Sequence, residues 1–270
     1  MSYFKLKNGE SLYYWDVGSG DPVVFVHGWT ASHLVYAEPI LRLRHKVRCI
    51  TYDQRGHARS RGANHETVTL DTLASDLNEL IEGLYLRNVT LLGWSMGAAT
   101  VMAYLRDYGC GALRQVVLCD MAPRQVNDDG WKLGIGKGTY TAKDIAAEEK
   151  KGFFSMYKTF ALDSMPELEM LPGFLISKVL KFKLDGCDRG ILESLARSME
   201  TADLRDVIPK VSVPLTYLYA DPGTLFSPKL AEWYREKATA PFKSIRFPKS
   251  THMFVAVHPD QFTKVLKKLL

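Results

Sequence analysis

The stretch Gly93-Trp94-Ser95-Met96-Gly97 constrains this chain more than any other. It follows the apolar run Val89-Thr90-Leu91-Leu92, and residues 98–108 after it read as a helix. A strand, a tight turn and a helix with serine at the apex is the context in which Gly-x-Ser-x-Gly carries meaning. So sharp a turn crowds the backbone, and small residues two positions either side relieve the crowding. The serine then stands at the strand end with a helix start behind it. That helix start offers backbone N–H groups and a partial positive charge where an oxyanion would form. On its own the pentapeptide is equally compatible with a surface turn, so the rest of the chain decides.

The first half of the sequence alternates strands and helices. Residues 3–6 and 12–15 flank Asn8-Gly9, a strong hairpin signal. Val23-Val24-Phe25-Val26 is a continuous apolar run of the kind found in a parallel sheet covered on both faces, and it ends in His27-Gly28-Trp29. A short helix around residues 36–43 leads to a strand at 47–52 and the turn-rich segment 53–60. Leu70, Leu73, Leu77, Leu80, Ile81 and Leu84 recur at helical spacing. After the Ser95 unit comes another apolar strand, Val116-Val117-Leu118-Cys119, closed by Asp120-Met121-Ala122-Pro123. This order argues for a parallel sheet with crossover helices.

From residue 124 to about 210 the pattern changes. No strong strand occurs, helices are expected near residues 143–157, 173–184 and 189–201, and bulky apolar side chains such as Trp131, Phe153, Phe160 and Phe174 are dense. A structureless loop of that length is improbable in a compact domain, so 124–210 reads as an inserted helical cap over a core made of 1–123 and 211–270. The sheet then resumes with a strand at 214–219, a turn at 220–223, a helix opened by Ser227-Pro228, a short strand at 244–247 and a closing helix from Pro259.

Composition excludes several function classes. The net charge is +5, but the basic residues are scattered and no basic stripe interleaves with aromatics, which argues against nucleic-acid binding. No apolar segment approaches the length of a membrane span, and the N-terminus has no secretory pattern. Cys49, Cys110, Cys119 and Cys187 lack metal-type spacing and suit a reducing, cytoplasmic setting. Gly134-Ile135-Gly136-Lys137-Gly138-Thr139 matches neither phosphate-binding glycine pattern and reads as a flexible lead into the cap. Neither a cofactor nor a metal is expected.

Four local patterns together resemble the α/β-hydrolase family along essentially the whole chain. They are Phe25-Val26-His27-Gly28-Trp29, the turn Asp53-Gln54-Arg55-Gly56-His57-Ala58-Arg59-Ser60, the Ser95 pentapeptide, and His252 shortly before the last helix. Ala58 stands where the family's turn usually has a second glycine. The resemblance implies a mostly parallel, eight-stranded twisted sheet with helices on both faces and a nucleophile at Ser95.

A serine hydroxyl needs a neighbouring base. Of the seven histidines, His27 reads as structural, and His33, His45, His57, His65 and His258 fall in loops or near helix ends. His252 completes the order serine, acid, histidine. For the acid, the usual family position after the cap falls on glycine in Ala220-Asp221-Pro222-Gly223, with Asp221 two residues early. Asp120 occupies the earlier position known from haloalkane dehalogenases and coelenterazine luciferases. The resemblance favours Asp120 and leaves Asp221 as the alternative. It places the oxyanion hole at the backbone N–H groups of Trp29 and Met96.

The expected activity is that of a serine hydrolase, a carboxylesterase acting on a small ester or related acyl substrate of apolar character, with no nucleic-acid partner and no membrane insertion. Lactonase, thioesterase, peptidase, C–C bond hydrolase and perhydrolase activities share the same machinery. A non-catalytic small-molecule receptor on this scaffold is the alternative of a different class.

Overall fold

The structure is a computed structural model that describes residues 2–62 and 67–270; His65 lies outside the described residues. A single sheet of eight strands runs through the molecule in the order β1-β2-β4-β3-β5-β6-β7-β8. The strands are β1 (Ser2–Lys5), β2 (Ser11–Val17), β3 (Pro22–Val26), β4 (Arg48–Tyr52), β5 (Val89–Trp94), β6 (Leu113–Cys119), β7 (Leu215–Pro222) and β8 (Phe242–Ser250). β1 pairs antiparallel with β2, and β2 antiparallel with β4; every other pairing is parallel. β3, β5 and most of β6 are fully buried, which explains why they read as unbroken apolar runs.

Helices cover both faces. On one side α2 (Leu70–Gly83), α3 (Met96–Tyr108) and α8 (Leu230–Lys237) pack Leu73, Leu77, Met102 and Leu230 against the sheet. On the other, α1 (Ala37–Leu43), α9 (Phe254–Val257) and α10 (Pro259–Leu269) contribute Ile40, Phe254 and Phe262 to a second core. Between β6 and β7 lie α4 (Ala142–Lys151), α5 (Phe153–Ser164), α6 (Gly173–Leu184) and α7 (Arg189–Thr201).

Several boundaries differ from the sequence reading. The helix expected over 143–157 is broken into α4 and α5 at Gly152, whose φ of +86° ends one helix and starts the next. β7 runs through the segment expected to turn, because Ala220 and Asp221 stay paired with Phe247 and Pro248 of a β8 longer than its apolar core suggests. α8 starts at Leu230, after a turn over Ser227-Pro228. The glycine-rich lead at 134–139 is held by hydrogen bonds: Gly134 N–H donates to Asn127 Oδ1 at 2.8 Å and Lys137 N–H to the Leu225 carbonyl at 2.9 Å.

Candidate active site

Ser95 sits in the turn between β5 and α3 at φ +55° and ψ −128°, a region costly for a side chain, of order 1–3 kcal/mol. The flanking glycines make that turn possible. A Cβ on Gly93 would lie 2.3 Å from the Gly97 carbonyl oxygen, and one on Gly97 only 2.1 Å from that of Val26. The strand end is therefore pressed against the first turn of α3 and against β3. The Gly28 backbone is equally close, since a Cβ there would meet Ser95 Cβ at 3.0 Å.

Asp120 stands at the neighbouring strand end. Ser95 N–H donates to the Cys119 carbonyl at 3.0 Å and Asp120 N–H to the Leu218 carbonyl at 2.8 Å, so β5, β6 and β7 reach the same level. Asp120 is 1% exposed and also has a positive φ, of 46°. Its Oδ1 accepts from Ala220 N–H at 3.3 Å.

His252 bridges the two, coming from the loop after β8. Its Nδ1 lies 2.8 Å from Asp120 Oδ2 and its Nε2 2.9 Å from Ser95 Oγ. An ionised carboxylate only accepts, so Nδ1 holds the proton and donates to Asp120, leaving Nε2 to accept from the serine hydroxyl. The histidine backbone is fixed too: its N–H donates to Thr224 Oγ1, and Trp94 Nε1 donates to its carbonyl, both at 3.0 Å. Ser95, His252 and Asp120 are all buried. Asp221 is elsewhere: β7 carries it past the junction, and its Oδ2 accepts from Arg246 Nη1 at 3.1 Å.

Two residues named from the sequence adjoin the serine along the backbone. Trp29 follows Gly28 beside Ser95, and Met96 opens α3. Among the described residues, no carbonyl or side chain accepts from the main-chain N–H of either. His27 is wholly buried, accepts from Gln54 N–H at Nε2 (3.0 Å) and donates from Nδ1 to the Gly28 carbonyl (2.8 Å), locking that turn. Burial lowers its pKa. Asp53 performs a similar service, taking His33 N–H and Nδ1 on Oδ1 and Arg59 N–H on Oδ2. His57 is buried, its pKa pushed down to about 3 by desolvation and then by His27. Thr224 and Gln54 were not singled out in the sequence; a hydroxyl or amide side chain in a loop carries no local signal of such a role.

Two hollows meet at Ser95, and Trp29 and Phe160 border both. The first, about 850 Å³, is walled by Met121, Ile135, Met156, Leu225 and Phe226, with Glu148, Asp163 and Glu200 among its lining. The second, about 750 Å³, is lined by Trp94, Tyr157, Leu168, Leu180 and His252. The helices α4 to α7 supply much of both walls. Trp29 is clasped there, its ring edge-on to Phe153, Tyr157 and Phe160 at 6.0, 5.7 and 5.4 Å, and its Nε1 donates to the Leu192 carbonyl at 3.2 Å. Among the described residues no cluster of His, Cys, Asp or Glu could hold a metal ion, and no helix is long and apolar enough to cross a membrane.

Comparison with known proteins adds to this geometry. A family model described as the alpha/beta hydrolase family matches residues 23–265. The solved structure of an esterase from Exiguobacterium antarcticum superposes with a TM-score of 0.84 at 28% identity, covering 99% of this chain and 98% of that one. The pimeloyl-(acyl-carrier protein) methyl ester esterase of Nitrosospira multiformis is 22% identical over 263 residues, 93% of this chain and 95% of that protein. A non-heme chloroperoxidase of Kitasatospora aureofaciens is 36% identical over 118 residues, 43% of this chain and 42% of that protein.

Proposed function

The chain belongs to the α/β-hydrolase family, and from that premise we propose that it is a serine esterase cleaving a small carboxylic ester through an acyl-enzyme on Ser95. The observation that carries this reading is the unbroken relay from Ser95 Oγ through His252 to Asp120, at 2.9 and 2.8 Å. His252 Nε2 takes the hydroxyl proton as Ser95 Oγ attacks the ester carbon. Asp120 keeps the ring in the required tautomer and stabilises the imidazolium. The main-chain N–H groups of Trp29 and Met96 receive the oxyanion, with the start of α3 adding its dipole. The imidazolium returns its proton to the leaving alcohol. Water, deprotonated by the same nitrogen, then releases the acid.

Residues 124–210 act in this reading as a cap whose apolar faces exclude water and select the substrate, with core residues 1–123 and 211–270 beneath. The mechanism predicts that Ser95→Ala abolishes hydrolysis of an activated ester such as 4-nitrophenyl acetate; a folded, active Ser95→Ala protein would sink it.

A second reading rests on the resemblance to the Kitasatospora chloroperoxidase. Hydrogen peroxide in place of water at the acyl-enzyme would give a peracid, which oxidises bromide to hypobromous acid and leaves the carboxylate. Peroxide- and carboxylate-dependent bromination, lost with Ser95→Ala, tests it.

A further inference from the structure

The two hollows beside Ser95 are chemically unlike. His252 lines the second and is absent from the lining of the first. Because the imidazolium must hand its proton to the departing alcohol, the alcohol leaves on the His252 side. The acyl group then occupies the first hollow, beyond the serine. That hollow has apolar walls, carries three carboxyl side chains, and has no lysine or arginine among its described lining residues. In a chain of net charge +5 this local excess of acid is distinctive.

The carboxyls are also short of partners. Glu148 is only 14% exposed at its side chain; Lys151 reaches its Oε1 at 2.7 Å, while its Oε2 is buried with no hydrogen-bond partner among the described residues. Burial, then the nearby Glu149, pushes Glu200 up to about 7, with Arg197 opposing. Burial, then Glu169 and Glu148, raises Asp163 at the rim. Tyr140, lining the same hollow, is pushed up to about 12 by burial and then by Glu200, Glu148, Asp144 and Asp163. Lys151 beside Glu148 and Arg197 beside Glu200 offset part of this negative charge, and a cation in the hollow would offset more.

We propose, resting on the esterase reading, that the first hollow takes an acyl group ending in an ammonium or substituted ammonium. Its hydrocarbon part lies along Met121, Leu225 and Phe226, and its cationic end sits between Glu148 and Glu200. The substrate class is therefore esters of carboxylic acids that bear a remote amine, with the alcohol held in the hollow lined by His252. Glu148 Oε2, which has no hydrogen-bond partner among the described residues, gains a cationic neighbour.

The test uses 4-nitrophenyl esters of one chain-length series. Each acyl chain ends either in trimethylammonium or in the neutral, equally bulky tert-butyl group. The cationic member should show a kcat/KM about tenfold or more above its neutral twin at pH 8, the range of a hydrogen bond or ion contact to a charged group. In the Glu148→Gln/Glu200→Gln double variant that ratio should fall towards one, and Asp163→Asn should lower it less. Equal kcat/KM for the twins, with the neutral ester turned over, overturns the cation site alone. So does a ratio that survives the double substitution. A preference found only when the cation is placed on the alcohol overturns the assignment of the hollows. Turnover of neither ester overturns the esterase reading, and this inference with it.

Discussion

The sheet end that carries Ser95 and the helical segment above it are built on opposite rules. At the sheet end, backbone lies against backbone. Gly93, Gly97 and Gly28 have no space for a side chain, Ser95 and Asp120 both hold positive φ, and Thr224 and Trp94 pin the His252 main chain. In the segment that spans α4 to α7 much apolar surface stays in view: Met170, Phe174 and Phe182 are 85, 73 and 79% exposed. Gly152 has nothing within 4 Å of the place a Cβ would take. In the esterase reading, chemistry that needs tenths of an ångström falls where the backbone is over-determined, and selectivity falls to the side-chain walls above it.

The sharpest way to break this contrast is to remove one group from the rigid side. Ser95→Ala should cost about 10⁶-fold in kcat on an activated ester, since nucleophile and base act as a unit. Asp120→Asn should cost about 10⁴-fold, and Asp221→Asn, paired with Arg246, less than about threefold. The reverse order in steady-state rates would move the acid to the other strand.

Stability separates the regions next. Gly97→Ala forces a Cβ to within 2.1 Å of the Val26 carbonyl oxygen, so it should cost about 3 kcal/mol or more in urea unfolding. Gly152→Ala meets no neighbouring atom and keeps only the strain of its φ of 86° and ψ of 158°, about 1–3 kcal/mol. Equal losses would show that the two regions are equally constrained.

The smallest effect belongs to Glu200. Its folded pKa is raised from 4.5 to about 7, so the folded state binds its proton more tightly than the unfolded chain. The resulting penalty is absent below pH 4.5, grows as pH rises through that window and is complete above about pH 7. Glu200→Gln should therefore match the wild type at pH 4.5 and exceed it by about 1 kcal/mol at pH 8, after allowance for solvent screening.

The sheet was largely legible in the sequence, because buried parallel strands such as 23–26, 89–92 and 116–119 announce themselves as apolar runs, and Leu70 to Leu84 as a helical stripe. That Ser95 and His252 would come together was legible through their order along the chain. What stayed open depended on lengths no local pattern encodes. Whether Asp120 or Asp221 faces His252 is decided by β7 continuing to Pro222 in register with β8. Gly152 inside a helical pattern did not show that it would split α4 from α5. Glu148, Asp163 and Glu200 look like ordinary solvated charges on three helices, and only packing turns them towards one hollow.

The central claim is that Ser95 is the nucleophile of a working acyl-transfer site, and its most direct test is peptide mapping by mass spectrometry after treatment with a fluorophosphonate. One adduct is expected, on the peptide containing Ser95, formed far more slowly in Asp120→Asn and absent in Ser95→Ala. An unmodified Ser95 peptide, or an adduct on another residue, would contradict it.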